Sequence, residues 1–123
     1  MGLAEKLARE GRHVRLAVTG TNAGQNLQPY LRDHMVGKLH KLGVEIIPYA
    51  RLFGVDPDSA YMTHIVTGEP MVETEVETVV LALGHEPDTS LEDTLTSLDV
   101  ALHLAGDCLA PRSAEEAVYE GML

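Results

Sequence analysis

The chain has 123 residues, of which 45% are hydrophobic, and a formal net charge of −10. That length supports one domain with one core, and the acidic balance repels phosphate backbones, which argues against nucleic-acid binding. Cys108 is the single cysteine, so one chain cannot build a disulfide framework, a four-cysteine zinc site or a cysteine-ligated iron–sulfur cluster.

The charge is uneven. Residues 1–51 carry eight Lys/Arg against four Asp/Glu, or +4. Residues 52–123 carry only Arg112 against fifteen Asp/Glu, or −14. The basic first half suits a small anionic ligand or an acidic partner surface. No apolar run approaches the roughly 20 residues that span a bilayer. The start lacks the basic, apolar and small-residue order of a secretory signal. A cytoplasmic location away from the membrane is the expectation.

In chain order, Leu3, Ala4, Leu7 and Ala8 recur at helical spacing, and Gly11 is placed to end that helix. His13–Val18 reads as a strand, closed by the turn-forming run Thr19-Gly20-Thr21-Asn22-Ala23-Gly24. A second helix opens at Pro29, carries the stripe Leu31, Met35, Leu39, Leu42, and stops at Gly43. Val44–Tyr49 is the next strand. Helix, strand, helix and strand with short connections predict a parallel sheet with helical crossovers.

The middle changes character. Arg51–Val55, Ala60–Thr67 and Pro70–Glu77 are short and rich in β-branched residues, and they predict a small antiparallel meander. Thr78–Leu83 is a continuous apolar run that predicts a buried strand, broken at Gly84. Thr89-Ser90-Leu91-Glu92 has the pattern of a capping box opening a short helix to about Leu98. Val100–Ala105 predicts another strand, ending at Gly106-Asp107. Ser113-Ala114-Glu115-Glu116 is a second capping box, starting a final helix.

The six histidines, at 13, 34, 40, 64, 85 and 103, show no i,i+4 pair and no H-E-x-x-H pattern, so no metal site is expected. No G-x-S-x-G or phosphate loop occurs. The carboxylates fall in turns and helix starts, and no catalytic residue is assigned.

Three segments resemble a known family. Gly2–Val14, with its Leu3-Ala4-Glu5-Lys6-Leu7-Ala8, Gly11 and Val14, is similar to a helix-plus-strand of the trimethylamine dehydrogenase, histamine dehydrogenase and 2,4-dienoyl-coenzyme-A reductase group. Val79–Pro87 resembles the family's strand and glycine turn, with Leu83 where Thr is usual. Leu104–Arg112, running into Glu116-Ala117 and Gly121, resembles its GD-x-x-A-P-R segment and is the most specific of the three. The resemblance covers nearly all of the chain but only a C-terminal part of the family's length. The family's catalytic barrel, flavin mononucleotide site and iron–sulfur cysteines have no counterpart in it.

The resemblance implies an α/β, Rossmann-like FAD/NAD(P)-binding fold of three layers, with a parallel sheet and a small β-meander, lacking the usual first strand. It implies one domain over 1–123, in which 1–99 is like the NAD(P) domain and 100–123 supplies the Gly-Asp strand-turn-helix of the flavin domain. The function implied is that of a nucleotide-binding piece of a flavin-dependent oxidoreductase, taking FAD or NAD(P) through the ADP moiety; the single cysteine and the histidine spacing add the expectation of no iron–sulfur cluster and no metal. The alternative is a non-catalytic remnant or assembly domain that binds no nucleotide. The partners expected are the rest of a larger flavoenzyme or a partner chain, including a second copy as a homodimer.

The cofactor-binding candidates follow. Gly2 stands where a G-x-G-x-x-G turn would meet the pyrophosphate; otherwise it is only a chain end. Thr19, Gly20 and Thr21 face the adenosine ribose in this fold, with no acid for its hydroxyls and with Arg12 and Arg15 the nearest bases, compatible with NADP or with no nucleotide. Gly84 allows close backbone approach to a dinucleotide; otherwise it is a strand exit. The Asp of Gly106-Asp107 accepts hydrogen bonds from the ribityl chain of FAD in the family; otherwise it caps the turn or pairs with Arg112. A parallel sheet without its first strand leaves an open slot. Val100–Ala105 with the helix from Ser113 is expected to fill it, within the chain or by exchange with a second copy.

Overall fold

A computed structural model describes residues 1–123. The chain is mixed α/β and divides into two compact units, Met1–Val79 and Val80–Leu123.

The first unit opens with helix α1 (Gly2–Arg9), which buries Ala4 and ends before Gly11 as the spacing predicts. Its outer face is laced by i,i+4 pairs, Lys6–Glu10 at 3.1 Å and Arg9–Glu5 at 2.9 Å. Strand β1 (Arg15–Ala17) leads through a loop to helix α2 (Pro29–Lys41), with Pro29 in its first turn. Lys38, His40 and Lys41 occupy its last turn, where cations suit the helix dipole. Strand β2 (Glu45–Ile47) then pairs in parallel with β1, Leu16 opposite Ile46. Ala4, Leu39 and Val44 form the core under this pair, joined by Met1, Ala8, Val14, Leu16 and Leu42. Leu39 is the most enclosed large side chain, 1% exposed, a burial that contributes about 1.5–3 kcal/mol.

The chain leaves β2 through Tyr49, whose φ of 55° lies in the left-handed region. Two hydrogen bonds hold it there: its N–H donates to the Gly20 carbonyl at 3.1 Å, and its carbonyl accepts from Ile65 N–H at 2.8 Å. Strands β3 (Ala50–Val55), β4 (Ser59–His64) and β5 (Pro70–Thr74) form the expected antiparallel meander in the order β3-β4-β5. The ladder shifts register between Leu52 and Gly54, so Phe53 bulges out, 68% exposed, against the Tyr61 ring at 6.2 Å. Ile47, Ala50 and Met62 make a second core, flanked by Leu52 and Met71.

The second unit contains no buried residue. It holds helix α3 (Glu92–Thr96), a 3-10 turn at Gly106–Cys108 and helix α4 (Ala114–Glu120). The capping box at Ser113 forms: the Ser113 hydroxyl accepts from Glu116 N–H, and the Glu116 carboxylate accepts from Ser113 N–H at 3.0 Å. The one expected at Thr89 does not. Helix α3 starts after Leu91 without a side-chain cap, because Asp88 takes the Ser90 N–H at 3.0 Å and turns the chain first.

Two predicted strands are also absent. Thr78–Leu83 and Val100–Ala105 are not strands and pair with nothing, and Leu83 and Val100 are 84% and 63% exposed. Apolar composition favours burial, but a strand exists only where a neighbouring backbone completes its ladder. Val100–Ala105 therefore fills no sheet slot within the chain, and the parallel sheet is the two-stranded β1–β2 pair.

Candidate functional site

The predicted site residues fall into two groups. In the first unit, Thr19, Gly20 and Thr21 lie together in the loop after β1, at the carboxyl end of the parallel strands, where open α/β sheets receive ligands. The loop is tied down from below, since Gly20 O accepts from Tyr49 N–H and Val18 O accepts from Ala50 N–H at 2.9 Å. Thr19 and Thr21 are exposed. The Gln25 side chain occupies the space that a Cβ on Gly20 would need. Gly2 opens α1, and the neighbouring Met1 side chain lies against Gly24 of the same loop. The start of α1 and the β1–α2 loop thus form one edge of the unit.

Arg15 is not part of that edge's free charge. Its guanidinium donates to Glu73 Oε2 at 3.0 Å and to the Thr74 carbonyl at 2.8 Å, tying β1 to β5. A 2′-phosphate could engage Arg15 only by breaking both contacts. Arg12 stays exposed. Glu5 is held below the usual carboxylate range, chiefly by the hydrogen bond from Arg9, with Lys38 of α2 assisting from 3.4 Å.

In the second unit, Gly84 is exposed with φ +123°, and nothing stands within 4 Å of where its Cβ would be. Gly106 has φ +73°, a conformation that L side chains rarely adopt. Its N–H donates to Glu120 Oε2 at 2.8 Å, and its carbonyl accepts from Leu109 and Ala110 N–H at 3.0 Å each. Asp107 does not pair with Arg112. Arg112 pairs instead with Glu120, whose side chain is 11% exposed. The Asp107 carboxylate is left exposed, its acceptor oxygens open to solvent.

Taken separately, the first unit offers the exposed hydroxyls of Thr19 and Thr21, and the second offers the exposed carboxylate of Asp107. Helix α4 offers no matching phosphate site. The capping box engages the Glu116 amide, and Glu115 and Glu116 make the start of the helix acidic. Two surface depressions lie in the first unit, and neither is lined by the β1–α2 loop. One of about 300 Å³ is the salt-bridged face of α1 around Gly2, Glu5, Lys6, Arg9 and Glu10. The other, about 670 Å³, lies between α2 and β2 along Asp33, Val36, His40 and Ile46, and includes no predicted site residue. No group of three ligating side chains could hold a metal, and no helix is long and apolar enough to cross a membrane.

The Arg15–Glu73 tie and the role of Glu120 were not identified from sequence. Glu120 carried one signal: an acid in the last turn of a helix opposes the dipole unless a cation meets it, and Arg112 does.

The fold of this chain recurs in solved structures. Histamine dehydrogenase from Rhizobium sp. 4-9 matches 97% of the chain with a TM-score of 0.85 at 19% identity. The 6-hydroxypseudooxynicotine amine oxidase from Pseudomonas geniculata N1 matches 97% with a TM-score of 0.86 at 24% identity. 2-Naphthoyl-CoA reductase matches 96% with a TM-score of 0.82 at 21% identity. The chain shares the fold of part of each of these redox enzymes. It spans 20%, 18% and 18% of their respective lengths. Bacillithiol disulfide reductase from Staphylococcus aureus matches 81% of the chain, and 29% of its own length, with a TM-score of 0.59 at 17% identity. No family model and no curated protein matches in sequence.

Proposed function

We propose that this chain is a nucleotide-binding part of a flavin-dependent oxidoreductase, Rossmann-like in construction, taking FAD or NAD(P) through the ADP portion. The observation that carries the reading is the fold shared over 96–97% of the chain with a dehydrogenase, an amine oxidase and a reductase. The Gly106-Asp107 turn supports it, with its carboxylate open for sugar hydroxyls.

In this reading the β1–α2 loop, with Thr19, Gly20 and Thr21, meets the ribose, and the first-turn amides of α1 at Gly2 face the phosphates. Gly84 lets the backbone pass close to the ligand. Asp107 accepts hydrogen bonds from FAD. A bound flavin would supply the redox chemistry, while the chain's own residues bind and orient. No catalytic residue is assigned to it.

A larger protein or a partner chain completes the enzyme in this reading. The second unit supports that role, because Val80, Leu81, Leu83, Val100 and Leu102 are all exposed, and apolar surface of this kind marks interaction sites. A second copy, exchanging Val100–Ala105, is one such partner.

Thermal unfolding in the presence of FAD, ADP, NADH or NADPH tests the reading. A ligand at about 100 times its Kd stabilises by about 2.7 kcal/mol and raises Tm. No rise with any of the four sinks it.

A further inference from the structure

We propose that Glu120 is a positioning residue for FAD, holding the Gly106-Asp107 turn so that the Asp107 carboxylate stays free; this rests on the nucleotide-binding reading. Glu120 lies 14 residues beyond Gly106. Its two carboxylate oxygens do different work: Oε2 accepts the Gly106 N–H at 2.8 Å, and Oε1 pairs with the Arg112 guanidinium. The other hydrogen bonds of the turn are local. Leu109 and Ala110 N–H reach the Gly106 carbonyl, and Cys108 Sγ donates to the Ala105 carbonyl at 3.1 Å. Glu120 is therefore the long-range tie that fixes the turn to α4.

Two further observations support the assignment. Glu120 sits in the last turn of α4, where a carboxylate opposes the helix dipole, so its place there is justified by what it holds. Its side chain is 11% exposed, whereas Asp107 on the same turn is exposed. One carboxylate is enclosed and used by the fold, and the other is left open. Glu120 also occupies Arg112, the one cation of the unit.

The role depends on reach and acceptor geometry more than on charge. Glu120→Gln keeps an oxygen at the right distance for Gly106 N–H. Glu120→Asp keeps the charge but withdraws it by one methylene. Calorimetric titration of the full chain and these variants with FAD, and with ADP as the ligand lacking ribityl hydroxyls, separates the two. Glu120→Gln is expected to bind FAD within about threefold of the original chain, since a partly exposed ion pair contributes little. Glu120→Asp and Glu120→Ala are expected to lose about 10- to 100-fold in FAD affinity, the worth of a hydrogen bond to a charged group. ADP affinity should not change in any of them.

Hydrogen exchange at the Gly106 amide should be slow in the original chain and in Glu120→Gln, and fast in Glu120→Asp. If Glu120→Ala does not fold, the Gln and Asp variants still decide the matter. A chain that binds neither ligand overturns the nucleotide reading, and this inference with it. Binding by the original chain with the opposite order, Asp retaining FAD and Gln losing it, overturns only the positioning role. Equal losses for FAD and ADP mean general destabilisation and also overturn it.

Discussion

The two halves of this molecule are held together in different ways. Met1–Val79 has two apolar clusters, a parallel pair, a three-stranded meander and an arginine that stitches β1 to β5. Val80–Leu123 buries no residue, and its order comes from polar ties: the Ser113 capping box and the Glu120 link to Gly106 and Arg112. The comparison teaches that the first unit carries its own hydrophobic stabilisation, whereas the apolar residues of the second remain available to another surface.

The sharpest way to break this contrast is truncation of one apolar side chain in each unit. Leu39→Ala, at the centre of the first core, should cost about 2–5 kcal/mol. Leu83→Ala, 84% exposed, should stay within about 0.5 kcal/mol. Urea unfolding of both variants measures the difference, and similar costs would mean that the second unit has a core of its own.

Arg15→Ala should cost about 1–2 kcal/mol, because it removes a half-buried ion pair and a bond to the Thr74 carbonyl. A double-mutant cycle with Glu73→Gln checks whether the link between β1 and β5 is a real coupling. Additive effects would leave the two strands joined only by chain and packing.

Ser113→Ala should weaken α4 by about 1 kcal/mol, seen as faster amide exchange at Glu116 and Ala117 with the first unit unaffected. The smallest effect is a pH effect on the same cap. Glu116 is held below its ordinary value of 4.5, first by the Ser113 backbone N–H. Its contribution is therefore complete above that ordinary value and is lost as pH falls through the lower folded value. Helicity of α4 followed by NMR on acidification should decline there, and Glu116→Gln, which removes the titrating group, should flatten the response.

Much of the first unit was legible in the sequence because its signals are local and agree. The 3.6-residue stripe through Leu39, Pro29 at the α2 start and the terminating Gly11 and Gly43 all point to the same helices. The meander was legible from β-branched runs broken at Asp56-Pro57-Asp58 and Gly68-Glu69-Pro70. The second unit was misread where a strand depends on a partner. Val79–Leu83 and Val100–Ala105 look like core strands by composition, but pairing is not encoded within either run. The Ser113 box was legible because both its partners lie within four residues. Glu120 and Arg15 were not, since each acts on a residue far away in sequence. Asp107 was placed by resemblance, and the structure sharpens it by assigning Arg112 to Glu120 instead.

The proposal that this chain binds a nucleotide is most directly tested by amide chemical-shift mapping during titration with FAD. The account predicts saturable shifts concentrated at Thr19, Gly20, Thr21, Gly106 and Asp107, with ADP reproducing those of the loop alone. Shifts confined to the α2–β2 depression, or none at saturating FAD, would contradict it.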